Sequence, residues 1–199
     1  MKQLAFFHMA RNAYNSAWVS DNKEITEIVD ELAQHGLHGD IRQSAEALAN
    51  RYKLLSKGAR LPDVTFTDLS SNTIRLSEFH GKYVLLDFWF IGCKPCQADV
   101  PYLKILHADF NSSLEIVSIN PRDDLNKIKE YKNHEGLGWS FLKSDMDSEA
   151  MEILQVNFFP TYFLLDPDGN IILPPIDFSG EKDLYELIAD QLKKYGIEQ

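Results

Sequence analysis

Tyr83-Val84-Leu85-Leu86-Asp87-Phe88-Trp89-Phe90-Ile91-Gly92-Cys93-Lys94-Pro95-Cys96 is the stretch on which the reading of this chain turns. Its first eight residues are almost continuously apolar, the pattern of a strand covered on both faces in a parallel sheet, so it is expected at the sheet's centre. The chain then turns and opens a helix around Pro95, a residue favoured in the first helical turn because its missing N–H had no partner there anyway. Cys93 is thereby placed at a helix N-terminus, where unpaired amides and the positive end of the macrodipole favour a thiolate over a thiol. Lys94 adds a positive charge beside it and should make the pair somewhat more oxidising. Cys96 lies one helical turn on, spaced to close the small ring that releases a substrate from a mixed disulfide. Cys93 is expected to be the exposed attacker and Cys96 the sheltered resolver.

A CxxC admits two other readings, half of a zinc site or an inert structural pair. Zinc normally takes four ligands, and no second CxxC and no HxxxH occurs, so no metal is expected. With only 2 Cys, the chain is no disulfide-stapled scaffold either. The strand-to-helix context favours redox chemistry, with the Cys93–Cys96 pair itself as the redox group and no separate cofactor.

Outward from this segment, helical spacing returns at Val100, Leu103, Leu106 and Phe110, residues 114–119 read as strand, and residues 125–131 as helix. This is βαβ alternation. Residues 146–154 suit a short helix and 161–165 a strand; Asp166-Pro167-Asp168-Gly169 has turn chemistry, and residues 170–173 would return as a hairpin. A last helix is expected over about residues 182–195. Upstream, Pro62 bars a helix and Val64-Thr65-Phe66-Thr67 alternates as a strand, which sets a boundary near residue 58. Before it, apolar stripes predict three amphipathic helices: over residues 3–18, from Asp21 to Gly36, and from about Ile41 to Lys57. Residues 1–57 are thus a helical segment and 58–199 an α/β domain.

The 199 residues, 44% hydrophobic and 25% charged, describe an ordinary globular chain. Of the net charge of -10, residues 1–60 carry +1, from 8 Lys/Arg against 7 Asp/Glu, which leaves -11 on the remainder. Such a body repels phosphate backbones and anionic lipid, so nucleic acid is excluded as a partner. No apolar run approaches the roughly 20 residues of a membrane span. The start of the chain lacks the pattern of a cleavable export signal, since His8 and Arg11 interrupt the apolar stretch and no small-residue site follows.

From residue 57 onward the chain resembles the thioredoxin superfamily, and within it the TlpA/ResA-like thiol-disulfide oxidoreductases of bacterial envelopes. The resemblance is carried by Leu61-Pro62, by Leu76-Ser77-Glu78-Phe79-His80-Gly81-Lys82, by Phe88-Trp89 ahead of Cys93-Lys94-Pro95-Cys96, and by Phe159-Pro160-Thr161 ahead of Leu165-Asp166-Pro167-Asp168-Gly169. It implies a thioredoxin-like three-layer α/β/α sandwich with a central mixed sheet. It also implies a cis Pro160 opposite the cysteines, with the Phe159 backbone free for strand-like pairing to substrate. The 64 residues between Cys96 and Pro160 fit the insertion of that branch. Asp87 matches the buried acid of thioredoxins, where desolvation would let it accept the Cys96 proton, and Asp99 matches a Glu near the active site of ResA-like proteins. Trp89, Gly92, Lys94, Pro95, Phe159 and Pro160 form the expected substrate surface. Gly92 stands where thioredoxins usually carry Trp and Lys94 where Gly or Glu is common, so the partner's identity does not carry over.

The resemblance implies a monomeric reductant of protein disulfides in the periplasm or cell envelope, fed by an upstream, membrane-bound thiol donor; the cytoplasm is the second choice. Two other functions share parts of this pattern. A peroxiredoxin-like peroxidase needs PxxxTxxC, and residues 86–92 offer neither residue type. A Sco-like copper-delivery module uses CxxxC and a downstream His, whereas this chain has CxxC and His134 occupies no obvious ligand position.

Overall fold

The computed structural model describes residues 23–35, 39–177 and 183–197. The chain divides into two units, Met1–Ala59 and Arg60–Gln199. In the first, helices α1 (Lys23–His35) and α2 (Gly39–Leu55) fall within the spans expected of the second and third helices, and Leu32 and Ala45 bury against each other between them. The helix expected over residues 3–18 and the helix start at Asp21 lie outside the described residues.

The second unit runs β1 (Thr65–Asp68), β2 (Thr73–Arg75), a 3-10 turn (Leu76–Phe79), β3 (Tyr83–Phe88), α3 (Lys94–Phe110), β4 (Leu114–Asn120), α4 (Leu125–Glu135), β5 (Ser140–Lys143), α5 (Glu149–Leu154), β6 (Thr161–Leu165), β7 (Ile171–Asp177) and α6 (Leu184–Lys194). The strands form one mixed sheet in the order β2-β1-β5-β4-β3-β6-β7. β3 is parallel to β4 and antiparallel to β6, so the apolar strand lies inside the sheet as its composition requires. Leu85 joins the core beneath α3 and α6, while its sequence neighbours Val84 and Leu86 point to the other face and are equally buried. Helices flank the sheet, which is the layered α/β arrangement implied by the resemblance. No helix among the described residues is long and apolar enough to cross a membrane.

Helix ends follow local chemistry. Asp124 caps α4 by accepting the Lys127 N–H at 3.0 Å, and Gly136 closes that helix at φ +65°. Ser148 caps α5, and Asp183 caps α6. Two short strands, β2 and β5, and the 3-10 turn were not anticipated; each is three or four residues long, too short for a hydrophobic period to show. β5 nonetheless extends the parallel part of the sheet, pairing with β4 from Val117↔Ser140 to Asn120↔Lys143.

Candidate active site

α3 begins directly after Cys93, which is its N-cap, with Pro95 in the first turn. The Cys93 side chain folds back over that turn, and its Sγ accepts the Cys96 backbone N–H at 3.2 Å. Cys93 and Cys96 are joined as a disulfide. Gly92, just before, has φ +92°, and a Cβ built on it would meet nothing within 4 Å among the described residues. A side chain at this position would be opposed by the left-handed backbone conformation rather than by lack of space.

The expectation that Cys93 is exposed is corrected. It is 4% exposed against 5% for Cys96, because capping turns its sulfur inward onto the helix instead of outward. Its chain neighbours Gly92, Lys94 and Pro95 are exposed. Trp89 is likewise not at the substrate surface: it is 4% exposed, its ring 4.6 Å from Tyr131 and edge-on to Phe141 at 5.7 Å. It lies behind the cysteines in the wall of a cavity of about 10 Å3 that Asp87, Cys96, Ser118 and Trp139 also line. Such a space is about the size of one water.

One cross-strand row supplies the polar groups beneath α3. Asp87 on β3 stands opposite Ser118 on β4 and Tyr162 on β6, and Ser118 stands opposite Phe141 on β5. Ser118 donates its hydroxyl to Asp87 Oδ2 at 2.7 Å, and Trp139 donates its indole N–H to Ser118 Oγ at 2.9 Å. Asp87 Oδ1 and Trp89 Nε1 are buried without a hydrogen-bond partner among the described residues. Burial pushes the Asp87 carboxyl up to about 7; Ser118 opposes the shift and the charge of Asp99 adds to it. Asp99, half-buried on α3, accepts the Tyr162 hydroxyl at 2.9 Å; desolvation raises it too, with the Tyr162 bond pulling the other way. The two carboxylates named from the sequence are thus electrostatically joined across Tyr162, whose own hydroxyl is raised first by burial and then by both acids.

On the other side of the cysteines, Phe159 precedes Pro160, and the bond between them is cis. Thr161 pairs with Phe88, so Pro160 abuts the end of β3 from which the chain turns to Cys93. The Phe90 and Phe159 rings meet edge to face at 5.4 Å, and the Arg122 guanidinium lies 4.2 Å from the first ring centre and 4.9 Å from the second. Sequence reasoning passed over Ser118, Tyr162, Trp139 and Arg122. The available signal was Ser118, a lone hydroxyl between Val117 and Ile119 in a strand flanking one that buries Asp87.

Among the described residues no group of three or more His, Cys, Asp or Glu is arranged to hold a metal.

The chain is similar to known proteins over the second unit. The pattern of the AhpC/TSA family matches residues 57–173. The thiol-disulfide oxidoreductase ResA of Geobacillus kaustophilus is 30% identical over 115 residues, 57% of this chain and 66% of that protein, so the match spans slightly under two thirds of that relative's length. ResA of Bacillus thuringiensis subsp. konkukian is 30% identical over 138 residues, 69% of this chain and 77% of the relative. Among solved structures, the thioredoxin domain of a thiol-disulfide oxidoreductase from Bacteroides vulgatus superimposes with a TM-score of 0.58 at 30% identity, covering 71% of this chain and 98% of that domain.

Proposed function

This chain belongs to the AhpC/TSA family, on its thioredoxin-like, ResA-related side, and from that premise we propose that it is a thiol-disulfide oxidoreductase that reduces protein disulfides through Cys93 and Cys96. The observation that carries the reading is the capping bond from the Cys96 amide to Cys93 Sγ. An N–H aimed at the sulfur, at the positive end of α3, stabilises the thiolate that exchange requires.

In the reduced protein the Cys93 thiolate attacks one sulfur of a substrate disulfide, and the other substrate sulfur leaves as a thiolate. Cys96 then loses its proton and attacks Cys93 Sγ; the remaining substrate sulfur departs, and the Cys93–Cys96 disulfide carries away the two-electron oxidation. Asp87 is the base for Cys96, because both line one water-sized cavity and its carboxyl, raised to about 7, is matched to proton transfer near neutral pH. Asp99 tunes Asp87 through its charge. Half-buried Phe159 would offer its backbone to the substrate, whereas cis Pro160, expected at the substrate surface, is buried and would act by shaping that backbone; Gly92, Lys94 and Pro95 are exposed beside Cys93. An upstream, membrane-bound dithiol in the cell envelope would restore the reduced state; the family resemblance supports that setting.

A peroxidase would need Thr and Pro ahead of its cysteine, and residues 86–92 hold neither. Insulin reduction tests the proposal: wild type should turn over, and Cys93→Ser should lose all activity. Cys96→Ser should accumulate mixed disulfides with protein substrates. Peroxide consumption without disulfide exchange would overturn the reading.

A further inference from the structure

The loop that follows β4 is tied to the active-site turn by its own hydrogen bonds. Asn120 Oδ1 accepts the backbone N–H groups of Arg122 and Asp123 at 3.0 and 2.9 Å. Asp123 Oδ2 accepts both the Asn120 amide at 2.9 Å and the backbone N–H of Ile91 at 2.7 Å. Arg122 is therefore held in register with the segment that carries Phe90 and Gly92, and the Phe90 carbonyl accepts the Cys93 N–H at 3.2 Å.

From that frame the Arg122 guanidinium lies over the rings of Phe90 and Phe159. A guanidinium held against aromatic rings keeps N–H groups for a second partner. Among the described residues no carboxylate forms an ion pair with Arg122, which is exposed; the adjacent Asp123 carboxylate is already engaged by Ile91 and Asn120. The exposed Lys94 adds a second cation on the rim. Lys94 adjoins Cys93 in the chain and Arg122 sits against Phe90, both cations on a body where residues 61–199 carry a net -11.

We propose that Arg122, seated on Phe90 and Phe159, is a specificity-determining residue that pairs with an Asp or Glu flanking the reactive cysteine of the protein substrate. The inference rests on the disulfide-exchange reading. The planar fork of Arg122 would take the carboxylate side-on while Cys93 reaches the neighbouring sulfur.

Three synthetic peptide disulfides, identical except for Glu, Gln or Lys next to the cysteine, distinguish the possibilities when reduced by the full-length reduced protein. At low salt the Glu peptide should react about three- to fivefold faster than the Gln peptide, the span expected of an exposed charge pair, with the Lys peptide slowest and the differences shrinking as salt is added. Arg122→Glu should invert the order and Arg122→Gln should flatten it, with thermal unfolding showing that both variants fold. Equal rates for all three peptides, an order unchanged in Arg122→Glu, or an order that moves only with Lys94→Gln would overturn the inference while leaving the exchange function standing. Failure of wild type to reduce any of the three would instead remove the exchange reading on which it rests.

Discussion

The Ser118 hydroxyl donates to Asp87 Oδ2 at 2.7 Å across adjacent strands. The direction of that bond is fixed by a third residue: the Trp139 N–H occupies Ser118 Oγ as acceptor at 2.9 Å, so the hydroxyl proton is directed to the carboxylate. A buried acid is thus given one donor, enough to hold its orientation and to moderate, without abolishing, the upward push of burial on its proton affinity.

Asp87 makes the fold sensitive to pH. Its carboxyl binds its proton up to about pH 7 in the folded protein, against an ordinary value of 3.8. Between these values the native state keeps a proton that the unfolded chain has released, so its stabilising contribution is complete below about pH 4, drains away as the pH rises at up to about 1.4 kcal/mol per unit, and is gone above about pH 7. Asp87→Asn carries no such loss. Urea unfolding of oxidised protein should give similar stabilities for the two near pH 4 and an advantage to the variant of about 2 to 4 kcal/mol at pH 8. A stability difference that stays constant with pH would contradict the assignment. The same variant should slow release of substrate from Cys93, measured as a longer-lived mixed disulfide.

Neighbours of Asp87 should move its titration in opposite directions. Ser118→Ala removes the donor that favours the carboxylate and shifts the pH profile of the resolving step to higher pH; it also leaves the Trp139 N–H unpaired, at about 1–3 kcal/mol of stability. Asp99→Asn removes a like charge and shifts the same profile to lower pH. Stopped-flow measurement of resolution across pH, on a preformed mixed disulfide, reads both. Shifts of the same sign would rule out this electrostatic arrangement.

Gly92→Ala tests backbone conformation alone, because a Cβ there meets no neighbour within 4 Å while φ is +92°. The cost should be about 1–2 kcal/mol, seen as a lower urea midpoint with an unchanged slope. A neutral result would mean that the turn into Cys93 relaxes freely.

The elements legible in the sequence were those with a long or strongly patterned signal. The residues 83–90 run, the α3 stripe and the 166–169 turn each encode their structure locally. What escaped was set by pairing between distant segments. Ser118 and Tyr162 matter because strand register brings both beside Asp87, and register across β4, β3 and β6 is a tertiary property. The same holds for Arg122: nothing within its own loop announces that Phe90 and Phe159 lie beneath it. The inward turn of Cys93 was missed for a different reason. A helix N-terminus can be read from Pro95, but not the rotamer with which the capping sulfur meets the Cys96 amide.

The central claim is that in the reduced protein Cys93 is a thiolate held by the first turn of α3. Its most direct test is the rate of iodoacetamide alkylation at Cys93 in the reduced Cys96→Ser protein, followed from acid to alkaline pH; the backbone amide of residue 96 remains in that variant. The account predicts a rate that reaches its plateau near or below neutrality, well under the roughly 8.5 midpoint of an unperturbed cysteine. A rate that climbs through pH 8 to 9 like that of a free peptide thiol would contradict it.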